Sequence, residues 1–236
     1  MSESPAPPAP SSRWEDLLDV FIAPVELFRR RSDGKFGHAL IMLLVLSAIV
    51  FFATRSAMQP IMDAEFQRGM ASRPNLTPEA IETARKFATS LAPVFILIGL
   101  PVGVFLLGAV IWAAGRIVGG RLSYAQGATL ATFAFFPRIL EGVVSGIQAL
   151  LMDEGNLLSR FSVSLGIGRL LDPQHTSAVL LALLGRIDLF TLWGTALIAI
   201  GIKQMARTST GQAIAAAALV WVVGCLPALL QALRTV

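Results

Sequence analysis

Four ionisable side chains interrupt runs of sequence that are otherwise apolar enough to cross a bilayer. Arg186 and Asp188 stand inside 178–203, AVLLALLGRIDLFTLWGTALIAIGIK, and Arg138 and Glu141 stand inside 125–151. A charge at membrane depth is costly, so it normally faces protein or a water-filled cavity and has a partner. Two cations and two anions of this kind could clamp helices together, or line a polar path for transport or lipid translocation. Residues three apart on a helix can touch, so Arg138 and Glu141 are within mutual reach. Arg186 and Asp188 are two apart and point to different sides.

Other chemistries lack their residues. His38 opens the first apolar run and His175 lies in a loop, neither with Cys or paired carboxylates at ligand spacing, so no metal is expected. The chain has no His-Glu-x-x-His, no phosphate-binding Gly-Lys loop and no Gly-x-Ser-x-Gly. Ser47 and Ser145 lie in apolar runs without a base, and Asp63 with Glu65 and Asp153 with Glu154 read as solvated loop charges. The lone Cys225 leaves no internal disulfide and reads as a small packing residue. No catalytic residue and no cofactor is expected.

The elements that must position the four charges follow from composition. Of 236 residues, 55% are hydrophobic and 14% charged, with mean hydropathy +0.69; a soluble chain carries about 25% charged residues. This is the composition of an all-α integral membrane protein. The net charge of +4 is scattered around the ends of the apolar runs, which favours anionic lipid over nucleic acid. Five runs qualify as spans, at 37–54, 88–114, 125–151, 178–203 and 211–233, since about 20 residues cross the hydrocarbon and backbone in lipid must pair internally as helix. The first run begins only near Gly37, so it is expected to be a retained signal-anchor rather than a cleaved signal.

Ahead of the spans, residues 1–12 are a Pro-, Ser- and Ala-rich stretch expected to be disordered. Residues 13–35 read as a cytoplasmic amphipathic helix and basic cluster. Trp14, Leu17, Leu18, Phe21, Val25 and Phe28 recur at helical spacing, a stripe suited to the membrane interface or a partner, with a bend at Pro24. Arg29, Arg30, Arg31 and Lys35 then anchor the membrane end. Thr77-Pro78-Glu79 reads as a helix start, and 161–171 is apolar enough to lie along the membrane surface. Short loops carrying Arg116, Arg121, Lys203 and Arg207 without acids place the N-terminus in the cytoplasm and the C-terminus outside.

On that topology, Arg138 lies 17 residues beyond Arg121, and Asp188 and Arg186 lie 15 and 17 residues from Lys203. All fall at roughly 22–25 Å, with Glu141 at about 30 Å, in one slab of the outer half of the membrane. The spacing predicts a cross-helix cluster, with Arg138–Asp188 the first contact and Glu141–Arg186 the second. A second arrangement fits equally: Ser177–Gly185 forms a separate surface helix, Arg186 and Asp188 mark the outer interface, and Arg186 snorkels to headgroups. Gly99/Gly103 and Gly142/Gly146 permit close helix approach.

Three stretches together resemble the Yip-domain family, the Ypt/Rab-interacting membrane proteins, in its bacterial branch. They are LLDVFIAPVELFRR (17–30), GRLSYAQGATLATFAFFP (120–137) and RIDLFTLWGTALIAIGIKQMARTSTGQAIAAA (186–217). The resemblance implies a five-helix membrane domain over 36–236. In eukaryotic relatives it implies association with small GTPases and vesicle membranes; that partner does not transfer to a bacterial-type sequence. The expectation is a non-enzymatic scaffold or accessory subunit of a bacterial inner membrane. Its partners would be lipids and other proteins, or further copies of itself. A transport or lipid-translocation component using the Arg/Asp/Glu cluster is the alternative.

Overall fold

The computed structural model describes residues 14–71, 77–172 and 175–233; the Pro-rich stretch 1–12 lies outside them. Within the described residues, helices dominate. Five are long and apolar enough to cross a membrane: Gly37–Met70, Pro78–Ile117, Tyr124–Leu151, Leu189–Ala206 and Thr210–Leu230. They alternate in direction. One end of the bundle, here the near end, gathers the N-terminal helices and the short loops; the far end gathers the longer ones.

The amphipathic entry segment is two helices, α1 (Glu15–Ile22) and α2 (Pro24–Arg30). In one straight helix Asp16 and Arg30 would stand about 21 Å apart; their side chains are bonded at 2.7 Å. The bend expected at Pro24 is therefore a reversal. Proline cannot donate the bond that would continue α1, and Ala23 leaves helical geometry at φ −140°. The resulting hairpin docks along the fourth span. Phe21 meets Trp193 edge-on at 5.2 Å and Phe28 meets Phe133 at 6.1 Å. Trp193 is about 20 Å along the helix from Ala206, so the tip reaches well into the bundle rather than staying at its rim.

Span one, α3 (Gly37–Ala71), runs well past the expected end at Thr54. Residues 55–71 are rich in helix formers, and Ile61 is buried with Ala149, Leu157 and Val163 in a small far-end cluster. Span two joins α4 (Pro78–Val94) to α5 (Leu100–Ile117) through a π-helical turn, Phe95–Gly99. Pro101 has no N–H to close the regular ladder there, a common origin of such turns. The start expected at Thr77 is present, its hydroxyl accepting the Ala80 N–H at 3.3 Å.

Span three breaks into α6 (Tyr124–Ala134) and α7 (Phe136–Leu151). Pro137 leaves the Phe133 carbonyl without its helical donor, and the Arg138 N–H turns to Phe135 O at 2.9 Å. Span four is shorter than the run 178–203. A separate helix α8 (Ala178–Leu184) ends at Gly185, and α9 (Leu189–Ala206) begins afresh at Asp188. Between them, Gly166 and Asp188 form an isolated antiparallel bridge, with Ile167 N–H bonded to Ile187 O at 3.1 Å. The segment 161–171 forms short 3₁₀ turns over this bridge. Span five is α10 (Thr210–Leu233).

The core centres on α6, whose residues Gly127–Ala134 are all buried. Its closest neighbour is α5: a Cβ on Gly108 would lie 2.8 Å from Ala128 Cα, so no larger residue fits this crossing. Of the small pairs read from sequence, Gly142 and Gly146 seat α7 against Val50 and Thr54 of α3; Gly99 and Gly103 make no comparably close approach. At the near end the Gln126 and Gln212 amides donate to Ser32 O and Val118 O, both at 2.8 Å.

Candidate functional site

The break at Pro137 puts Arg138 in the first turn of α7, facing the start of α9. Its Nη1 donates to Glu141 Oε2 at 2.5 Å, the i,i+3 pair that the spacing predicts. Its Nη2 donates to the Thr191 hydroxyl at 2.6 Å, and Thr191 donates onward to Asp188 Oδ2. The remaining Asp188 oxygen accepts the N–H groups of Phe190 and Thr191, each at 3.0 Å. Asp188 is 5% exposed. Its carboxylate satisfies otherwise orphaned helix donors, at the end where the helix dipole favours negative charge.

The link between spans three and four is therefore Arg138–Thr191–Asp188 rather than a direct Arg138–Asp188 contact. Asp188 folds back over its own helix, and Thr191, one turn in, bridges the gap. Glu141–Arg186 is not a pair among the described residues. Glu141 is engaged by Arg138, and Arg186 reaches instead toward α10, where Gly224 makes room: a Cβ there would stand 2.5 Å from Arg186 Nη2. A separate helix, α8, does stand between Ser177 and Gly185, while Arg186, whose Nε is buried, turns toward α10.

Those surroundings are three cavities meeting at Arg138. One of about 220 Å³ lies among α5, α9 and α10, and Arg186 and Trp221 line it. The Nε of Arg186 and the Nε1 of Trp221 are buried without a hydrogen-bond partner. A second, of about 310 Å³, is lined by Arg138, Glu141, Arg186 and Asp188, so all four residues singled out in the sequence face one space. A third, of about 420 Å³, opens between α3 and α7. Arg160 lines both the second and third. Sequence reading missed it because it stands in a loop of mixed charge; its neighbour Phe161, beneath its guanidinium at 5.0 Å, is the signal that could have found it. Chemically the centre offers guanidinium donors in excess of carboxylates. Among the described residues, no group of three or more His, Cys, Asp or Glu could hold a metal ion.

A second charged group closes the base of the hairpin. Asp16, 5% exposed, receives Arg30 Nη2 at 2.7 Å and Arg31 at 2.8 Å from Nε and 2.5 Å from Nη2. Arg30 also reaches Asp19 at 2.6 Å. Burial works to lower the Arg30 pKa, but its hydrogen bonds to the Asp19 and Asp16 carboxylates and their negative charge outweigh it and raise it above the usual value. Lys35 pairs with Asp33 at 3.2 Å; burial opposes the effect, yet the Lys35 N–H and ammonium together hold Asp33 below the usual carboxylate range. Arg29 makes no ion pair among the described residues. The apolar stripe divides in two. Phe28 is fully buried and Leu17 and Phe21 pack on the core, while Val25 lines a groove along α9 and α10. Trp14 and Leu18 are exposed at 72% and 65%, joined by Ile22 at 77%. The inward anchors Val20 and Leu27, both fully buried, were not part of the expected stripe, because the reversal changes which side of each helix faces the bundle.

Five membrane-crossing helices and a docked N-terminal hairpin define the class: an all-α, multi-pass integral membrane protein. The family model of the Yip1 domain matches residues 18–230. That covers the hairpin from Leu18 onward and all five spans, and the chain belongs to the Yip1-domain family. No curated protein and no solved structure matches it.

Proposed function

We propose that the chain is a non-enzymatic membrane scaffold or accessory subunit of a bacterial inner membrane, with its N-terminus cytoplasmic and its C-terminus on the opposite side. The acid-free near-end loops carrying Arg116, Arg121, Lys203 and Arg207 support that orientation. The docked hairpin carries the reading. Its base is closed by charged pairs of Asp16 with Arg30 and Arg31, its tip is fixed against Trp193, and Trp14, Leu18 and Ile22 form one exposed apolar edge. A rigid apolar edge beside a charged base suits contact with interfacial lipid and neighbouring membrane proteins. Gentle-detergent purification tests it: W14S/L18S/I22S should fold normally yet lose proteins that co-purify with the wild type. An unchanged set of co-purifying proteins would refute it.

The space lined by Arg138, Glu141, Arg186 and Asp188 favours a second reading, a transport or lipid-translocation component. In that case neutralising those residues abolishes flux in liposomes while the fold survives.

A further inference from the structure

The third cavity, between α3 and α7, has a chemical asymmetry that the scaffold reading does not use. One wall is the face of α3 that carries Leu43, Val50, Phe51 and Met58, completed by Leu100 and Ile139. At its far-end rim stand Arg55 and Arg160, with Arg138 within the cavity and Glu141 its one carboxylate. Glu141 is already engaged by Arg138. Among the described residues, Arg55 and Arg160 make no ion pair and their guanidiniums make no hydrogen bond; each lies over a phenyl ring, Phe52 at 5.7 Å and Phe161 at 5.0 Å. The next cavity adds Arg186, while its Asp188 is occupied capping α9. The site thus holds uncompensated positive charge above an apolar groove.

The dimensions fit one leaflet. Gly142 against Val50 and Gly146 against Thr54 fix the register of α3 and α7, which sets Arg55 beyond the level of Arg138. Side chains on a helix lean toward its N-terminus, so Arg55 leans back over the cavity. From Arg55 down to Leu43 is about 18 Å, close to half of a hydrocarbon core about 30 Å thick. Charge at the rim and apolar wall to the midplane match an amphiphile lying with its head at the far-end surface.

We propose that this cavity binds an anionic phospholipid of the far-end leaflet. Its phosphate sits between Arg55 and Arg160 at the rim, and an acyl chain lies along Val50, Phe51 and Leu43. Guanidinium groups suit phosphate oxygens because they donate in a planar fork, and basic pockets between membrane helices recognise lipid headgroups on the same grounds. The inference stands apart from the scaffold reading, since it uses none of the hairpin residues.

Native mass spectrometry of the full chain, exchanged into micelles containing equal phosphatidylglycerol and phosphatidylcholine, reads the site. Phosphatidylglycerol should be retained preferentially, and R55Q/R160Q should reduce that retention about tenfold. Ser47→Phe fills the groove while leaving every charge in place, and should also release the lipid. Thermal unfolding of both variants confirms the fold, and the two act through different walls, so failure of one to fold leaves the other decisive. Equal retention of both lipids, or retention by R55Q/R160Q at the wild-type level, would overturn the proposal. So would displacement of the bound species by inorganic phosphate with no effect of Ser47→Phe, which would mark a site for free anions rather than lipid.

Discussion

Asp16→Asn removes the charge that closes the hairpin without changing its shape. The carboxylate is 8% exposed as a side chain and receives three donors from Arg30 and Arg31, whose side chains are 30% and 24% exposed. Breaking a fully buried pair costs about 3–5 kcal/mol; water at both guanidiniums screens the loss to about 1–3 kcal/mol. The change should stay local, because Val20, Leu27 and Phe28 still hold the hairpin to the core. Hydrogen exchange of residues 15–30 in detergent reads local opening, and about 1–3 kcal/mol corresponds to exchange faster by about 5- to 150-fold. Glu15→Gln serves as the control, since Glu15 is exposed and makes no ion pair among the described residues. Unchanged exchange in Asp16→Asn, or acceleration equal to that of Glu15→Gln, would refute the hairpin as an electrostatically closed unit.

Asp188→Ala should orphan two buried N–H groups and lower stability in detergent melts by about 1–2 kcal/mol, while Asp188→Asn, which keeps an acceptor, should lose less; equal losses would contradict the capping role. Gly127→Leu should destabilise the bundle by more than about 2 kcal/mol, because a Cβ at that position already meets the Gly108 carbonyl at 2.5 Å; a melt unchanged from wild type would contradict the crossing. Because the Asp33 pKa is lowered on folding, its stabilisation is full above the unfolded value near 3.9 and fades as pH falls through the folded value. Its carboxyl resonance should therefore titrate below the ordinary carboxylate range, and Lys35→Ala should move the midpoint up.

Hydropathy and length were enough for the five-helix plan, because lipid forces backbone pairing within each run. Residue types also marked four charges within or beside the apolar runs, and Arg138, Glu141, Arg186 and Asp188 do share one cavity. Their pairing was not legible. A periodicity count treats 178–203 as one cylinder, whereas Asp188 competes with the helix for the N–H groups of Phe190 and Thr191 and starts a new one. The hairpin escaped for a related reason: Pro24 announces a bend, but whether the chain bends or reverses depends on Asp16 finding Arg30 and Arg31, a contact 14 and 15 residues apart. Arg55 and Arg160 were invisible as partners because α3 and the far-end loop meet only in the folded chain.

On the scaffold reading proposed above, the polar centre holds the bundle together and conducts nothing through it. Proteoliposomes carrying fluorescent phospholipid in both leaflets, quenched from outside by dithionite, test this directly. The account predicts that about half the fluorescence survives, as in protein-free vesicles whose inner leaflet is protected, and that R138Q and D188A lower the unfolding temperature without changing that fraction. Near-complete quenching by the wild type, lost in R138Q and D188A at unchanged stability, would contradict it.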